Sequence, residues 1–299
     1  MTILNNTSDG LHPELIVIFR AVVYLGRVDA DELMRICLPE TVSDSSAPNR
    51  LRGSLLRWIE LGLFVVNDDH IQLDGKVVKG KHESLDDFTR RLPTICRRLV
   101  LEKKNALPIW GDSSSAASDF AKGITWILCQ NIYGFPSTWD GGAENIANEQ
   151  LVGEKILQND TRWNNLRYWA RYLGFATGDS SSFQVDPTSA IKDELPMVFA
   201  GRRELPAQEF IHALGEHLPV LDFGAIRGEL EKKLNVASWR KPADGHLSMS
   251  LSLALHRLDL NSTIKLAGKA DARSSYRLTG RNYRTWRGFE TVIWNGGAE

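Results

Sequence analysis

The sequence predicts a mostly α-helical protein with small β-hairpins, organised as two or three tandem winged helix-turn-helix units. Three observations predict it. Apolar residues recur at helical spacing through much of the chain. A run of three helical patterns ends in Leu-Gly and passes into a short hairpin pattern. That order then returns: WIELGLFVVNDDHIQLD and WARYLGFATGDSSSFQVD each place a tryptophan about one turn before Leu-Gly, followed by a hairpin ending in Asp. The tryptophan spacing differs by one residue, so the likeness is architectural rather than a strict repeat.

The first unit occupies residues 1–82. Pro13 to Leu25 reads as a helix with Leu15, Ile18, Phe19, Val22 and Val23 on one face; Pro13 suits its first turn and Gly26 its end. Asp29 can cap a second helix, Ala30 to Cys37, with Leu33, Ile36 and Cys37 inward and Pro39 beyond it. A third helix, RLRGSLLRWIELG, turns Leu51, Leu55, Trp58 and Ile59 inward and closes at Gly62. LFVV, NDD and HIQLD then read as strand, turn and strand.

Residues 83–117 read as a connecting helix from Leu85 to Glu102, kinked at Pro93, and a short linker. The second unit, 118–200, takes helices from Ser118 to Tyr133 and Gln150 to Leu157. A third, TRWNNLRYWARYLG, is capped by Asp160 and buries Leu166, Trp169, Ala170 and Leu173; FAT and FQVD form the hairpin. The third unit, 201–299, takes helices at Leu205–Leu218, Asp222–Leu234 and Leu247–Leu258, then the strands TIKLA, SYRLTG and TVIW.

Composition limits the function. Lys and Arg total 36 against 37 Asp and Glu, for a net charge of -1, so a uniformly basic coat for nucleic acid is excluded while a local patch is not. Cys37, Cys96 and Cys129 form no C-x-x-C pair, which excludes a disulfide framework and a cysteine-rich zinc site. The most apolar stretch, Leu15 to Leu25, is too short to cross a bilayer and holds Arg20; the polar N-terminus lacks a signal pattern. A cytoplasmic protein without membrane contact is expected.

Three clusters are candidate DNA contacts. On the first unit's third helix, Arg50, Ser54 and Arg57 recur at helical spacing opposite the apolar face, with Arg52 beside them, as in a recognition helix. An ordinary solvated face reads equally well, and Asp44, Asp68 and Asp69 would repel phosphate. On the second unit's third helix, Arg162, Arg167 and Arg171 interleave with Trp163, Tyr168 and Tyr172, a pattern that fits strand binding or, as the favoured reading, packing between units. The most suggestive cluster is GRNYRTWRG, with Arg281, Tyr283, Arg284, Trp286 and Arg287. From Lys265 onward there are seven basic residues against three acidic. Its competitor is a strand edge charged to prevent pairing.

No phosphate loop, dinucleotide fingerprint, nucleophile elbow or H-E-x-x-H occurs. Glu231-Lys232-Lys233 spells E-x-K inside a helix, where a solvated face is the better reading. His212 and His217 are spaced wrongly for a shared helical face, and Cys129 reads as core. No catalytic residue, metal or cofactor is assigned, and the protein is expected not to be an enzyme.

The segments TILNNTSDGLHPELIVIFRAV, LPAQEFIHALGEHLPVLDFG and LSMSLSLALHRLDLNSTIKLAGKADAR resemble the DpdG family, accessory proteins of bacterial defence islands encoded with machinery that inserts deazaguanine into DNA. They cover about a quarter of the chain, lie toward its two ends and contain no chemical motif. The resemblance implies a role beside helicase-like and ATPase-like proteins in phage restriction and DNA modification, and transfers no catalytic residue. The expected function is therefore DNA binding, duplex or single-stranded, or docking onto a DNA-acting complex. The alternatives are an adaptor without DNA contact and a transcriptional regulator.

Overall fold

In a computed structural model, which describes every residue except 1, 6–10, 12, 39–43, 112–114, 152, 180–181, 269–275 and 297–299, the chain is mostly helical with small antiparallel sheets. Helix α1 (Pro13–Leu25) buries Leu15, Ile18, Phe19 and Val22. A two-residue strand, β1 (Val28–Asp29), precedes α2 (Ala30–Cys37), and Asp29 Oδ1 accepts from the backbone N–H groups of Asp31 and Glu32 at 2.9 and 3.1 Å. The inward face of α2 is narrower than its spacing predicts: Leu33 is buried, Cys37 is half-buried and Ile36 is exposed. Pro39 lies outside the described residues.

Helix α3 (Ala47–Glu60) starts three residues before the predicted Arg50, with Pro48 in its first turn where the missing N–H is not needed. Strands β2 (Phe64–Asn67) and β3 (His70–Leu73) follow as predicted. Asp68 and Asp69 both take positive φ, 46° and 61°, the conformation a two-residue hairpin needs to match the strand twist. The unforeseen β1 pairs with β3, giving an antiparallel sheet ordered β1–β3–β2.

The connecting helix is two helices, α4 (Leu85–Arg90) and α5 (Leu92–Leu101), with Pro93 in the first turn of α5, and a single turn, α6 (Lys103–Ala106), follows. In the middle segment α7 (Ser118–Leu128) stops five residues before the predicted Tyr133. Helix α8 (Glu144–Gln150) ends where the predicted Gln150–Leu157 helix was to begin. Helix α9 (Asp160–Tyr172) is capped by Asn159, whose Oδ1 accepts from Arg162 N at 3.0 Å, rather than by Asp160. Its hairpin is minimal: β4 (Ala176–Thr177) and β5 (Gln184–Val185), with Phe183 outside the strand in which it was expected.

Helix α10 (Thr188–Phe199) has no sequence-based counterpart; its Pro196 sits in the last turn, where the missing N–H removes one backbone bond. Leu205 and Pro206, expected in a helix, belong to β6 (Glu204–Pro206). Then come α11 (Ala207–His217), α12 (Ala225–Glu231), α13 (Met249–Leu260), β7 (Ile264–Ala267), β8 (Tyr276–Thr279), β9 (Thr285–Phe289) and β10 (Thr291–Trp294). Strands β6, β10 and β7 form one antiparallel sheet in that order, and β8–β9 form a separate hairpin. Helix α10 packs against α11 and α13.

One continuous core joins the segments. Trp58 and Trp169 are both buried, as expected, but they do not pin each helix to its own unit. Their rings lie 6.0 Å apart and tie α3 to α9. Trp163 is buried among Trp126, Phe135, Trp139 and Phe183, with ring centroids 5.9–6.4 Å away, so it packs, but within the middle segment rather than between units as expected. Two buried arginines bridge segments. Arg97 of α5 donates to Leu173 O at 3.0 Å and to Glu194 Oε1 of α10 at 3.2 Å. Arg227 of α12 donates to Leu128 O at the end of α7 at 3.3 Å and to Glu231 at 2.6 Å, and pairs with Asp222 at 3.4 Å. Ser250 Oγ donates to the same Leu128 O at 2.7 Å, and Trp239 Nε1 donates to Cys129 O at 3.0 Å. The carbonyls that α7 leaves open at its C-terminus are thus satisfied from the third segment.

Candidate nucleic-acid interface

The sequence places Arg50, Ser54 and Arg57 on an outward face of α3; the structure does not. Ser54 is fully buried and Arg57 is 8% exposed. Helix α3 is covered on two sides, by α1 and, through Trp58, by the middle segment, so its buried arc is wider than the apolar residues alone indicate. Arg57 Nη1 donates to Glu60 at 2.6 Å. Arg50 bridges Glu14 of α1 and Asp44, both at 2.8 Å. Hydrogen bonds from Ser46 and then Arg50 hold the Asp44 carboxyl down at about 2. Of the four candidates on this helix only Arg52 is exposed without an ion pair among the described residues.

On α9 the arginines are likewise engaged by the protein. Arg162 donates to Asn5 Oδ1, which fastens the N-terminal segment. Arg167, 7% exposed, lies over the Phe183 ring at 5.2 Å. Arg171 stands over Tyr168 at 5.9 Å and donates to Gly178 O at 3.4 Å. Tyr172 is half-buried. Helix α13, in the matching position of the third segment, is buried along most of its length.

The β8–β9 hairpin is different. Arg277, Arg281 and Arg284 are exposed and make no ion pair among the described residues. Arg287 is the exception, pairing with Asp259 at 2.7 Å and donating to Leu266 O. The loop before α13 lies against the hairpin: Arg277 N donates to Gly245 O at 2.8 Å, and His246 shares a hydrogen bond with Thr285 Oγ1 at 3.1 Å. That loop brings Arg240 over the Tyr283 ring at 4.1 Å and adds exposed Lys241. Five cations, Arg240, Lys241, Arg277, Arg281 and Arg284, therefore belong to one hairpin and the loop packed on it. Lys269 and Arg273 lie outside the described residues.

The two aromatic candidates are held in place, each 39% exposed. Tyr283 and its neighbour Asn282 take φ of 60° and 58°, strained for a bulky ring, and the Arg240 stack helps hold Tyr283 there. Trp286 meets His256 at 4.9 Å and Tyr133 at 6.4 Å. Its indole lies so close over Gly280 that a Cβ there would come within 1.9 Å of the ring nitrogen, which explains the glycine. Arg240 and Lys241 lie outside the three clusters that charge and spacing single out; the run Trp-Arg-Lys before Pro242 is the signal that points to them.

No curated protein and no solved structure matches the chain. No helix among the described residues is long and apolar enough to cross a membrane. The DpdG-like family matches residues 1–272, including the middle segment that adds nothing to the resemblance at the chain's two ends, and the basic hairpin β8–β9 follows the matched region. The match spans most of the chain, and the protein belongs to the DpdG-like family.

Proposed function

We propose that the chain is a non-catalytic, DNA-binding accessory component of a DNA-modification and antiphage defence system, and that it holds DNA through the β8–β9 hairpin and the Arg240–Lys241 loop. Membership of the DpdG-like family suggests involvement in a DNA-modification system. One observation carries the DNA contact: Arg277, Arg281 and Arg284 of this hairpin are exposed and make no ion pair among the described residues, whereas Arg50, Arg57 and the hairpin's own Arg287 each have a carboxylate partner. Unpaired guanidinium groups are free to neutralise phosphates without first giving up an ion pair.

The element order supports a winged-helix reading at both ends of the chain. Residues 13–73 run α1–β1–α2–α3–β2–β3 with the sheet ordered β1–β3–β2. From α10 onward, β6–α11–α12–α13–β7–β10 follows the same plan with one additional helix, its sheet ordered β6–β10–β7. On this reading the third unit begins at Thr188 rather than at residue 201, and the middle segment is a reduced version with a vestigial wing. The β8–β9 hairpin is then an insertion between the second and third strands, at the wing. Because α3, α9 and α13 are largely enclosed, contact through the wing is favoured over insertion of a recognition helix.

The test is binding of duplex and single-stranded DNA by wild type and by Arg281→Ala/Arg284→Ala. Weakened binding in the double variant, with Arg52→Ala unchanged, is expected; equal affinities reject the hairpin as the site. An adaptor role is favoured by a separate feature, an open groove of about 960 Å³ lined by Leu107, Pro108, Ile109 and Trp110 beside α12. Failure of the double variant to co-purify with a helicase-like or ATPase-like partner, with DNA binding intact, would make the hairpin a docking element of such an adaptor.

A further inference from the structure

We infer that the cavity beneath Tyr283 is a nucleobase site, filled by a base turned out of a bound DNA strand or by the base of a free nucleotide. The inference rests on the DNA-binding reading only for the first of these sources. The cavity has a volume of about 250 Å³ and lies between the α7–α8 region and the third segment. That is just below the range of about 300–1,000 Å³ typical of drug-sized ligands. It is a size suited to one planar base.

Its walls have the two properties that such a site needs, ring faces and convergent polar groups. Phe135, Trp239 and Tyr283 supply the rings. Trp239 is fixed by its hydrogen bond to Cys129 O, and Tyr283 is the same residue that the hairpin presents beside Arg281 and Arg284. A strand lying along the hairpin's cations would therefore carry its bases past the cavity mouth, where Arg240 also lies. Glu149 and Asn131 line the cavity on its solvent-exposed side, where the Glu149 carboxylate and the Asn131 amide nitrogen make no protein hydrogen bond among the described residues and are open to a ligand. A carboxylate with an amide beside it suits a base edge that offers N–H donors and a carbonyl. Thr279 completes the wall, and its hydroxyl is buried with no partner.

The floor is already satisfied and stiff. Gln130 and Gln150 exchange two amide hydrogen bonds of 2.9 Å, and Gln150 Oε1 also accepts from Trp126 Nε1 at 2.9 Å. A ligand thus meets a closed floor, solvent-facing polar groups at Glu149 and Asn131, and one buried unpartnered hydroxyl at Thr279, the mix of ring faces and few polar groups that a small-molecule site needs.

The experiment uses the full chain and three probes: a labelled single-stranded DNA oligonucleotide, the same sugar-phosphate strand with every base removed, and deoxyguanosine monophosphate. Anisotropy reads the strands and calorimetry reads the nucleotide. Two variants act on the cavity and leave the arginines intact: Ile146→Trp, which fills it from a partly exposed lining position, and Thr279→Val, which removes only the unpartnered hydroxyl. Thr279→Val should keep the wild-type denaturant midpoint, since no protein hydrogen bond is lost. Wild type binding the intact strand about ten-fold more tightly than the abasic one, a preference reduced in both variants, supports a base from the strand. Nucleotide binding that both variants abolish, with the two strands bound equally, supports a free nucleotide as the source. Equal binding of both strands with no nucleotide binding overturns the cavity inference while leaving the DNA reading intact. No strand binding by wild type, with nucleotide binding that both variants abolish, removes the DNA reading and keeps the cavity.

Discussion

Replacing Trp58 and Trp169 with alanine, singly and together, tests whether the first and middle segments unfold as one body. Each indole is at least 98% buried, and their centroids are 6.0 Å apart, with Phe120 6.1 Å from Trp169. Truncating a buried tryptophan typically costs about 3–5 kcal/mol through lost transfer energy and the cavity left behind. Because each ring forms part of the other's packing, the second truncation enlarges an existing cavity instead of opening a new one. The double variant should therefore be less destabilised than the sum of the singles, by about 0.5–1.5 kcal/mol or more. Urea unfolding followed by far-UV circular dichroism and by fluorescence gives the midpoints. A single shared transition that moves in both single variants is expected. Two separable transitions, with Trp58→Ala moving only one, or strictly additive losses, would refute the interlock.

Other consequences are equally direct. Glu194→Ala leaves the buried Arg97 guanidinium with one carboxylate partner, Asp193 at 3.1 Å, and should destabilise the protein by about 1–3 kcal/mol in the same urea assay. The Asp44 carboxyl should titrate at about 2 by NMR, and Ser46→Ala should raise that midpoint, since Ser46 is the largest cause of the depression. Because its folded value lies below the ordinary 3.8, the stabilisation it gives to the start of α3 is present above the unfolded value and is lost as pH falls through about 2. Burial pushes the Cys37 thiol up to about 11 and Cys129 up to about 12, so the native protein should react slowly with a thiol reagent at pH 8 and expose three thiols on unfolding.

Elements whose pattern is local were legible in the sequence. The spacing of Leu15, Ile18, Phe19 and Val22 places α1, and Asp29 marks the start of α2. The Asp68-Asp69 turn between apolar runs marks the hairpin β2–β3. What tertiary contact decides was not legible. The two-residue strand β1 exists because β3 offers it a partner, and Leu205 joins β6 because β10 lies beside it. Ser54 and Arg57 read as an outward face, yet both are buried, and Arg167 is buried over the Phe183 ring; periodicity within one helix reports which residues are apolar and not which polar ones the fold covers. The C-terminal cluster was found by charge alone, which is a property of sequence. Its refinement, with Arg287 taken by Asp259 and Arg240 added by the loop, needs the fold.

The central claim is that the β8–β9 hairpin meets DNA phosphates, and the salt dependence of duplex binding tests it most directly. Each phosphate neutralised contributes about 0.9 to the slope of log K against log salt. Replacing Arg281 and Arg284 together should lower the magnitude of that slope by about two units. Arg287→Ala should lower it by much less, because that side chain is already paired with Asp259. The wild type should show a steep slope, the double variant a loss of about two units and Arg287→Ala a near wild-type slope. Identical slopes for all three proteins, or no measurable duplex binding by wild type at low salt, would contradict the central claim.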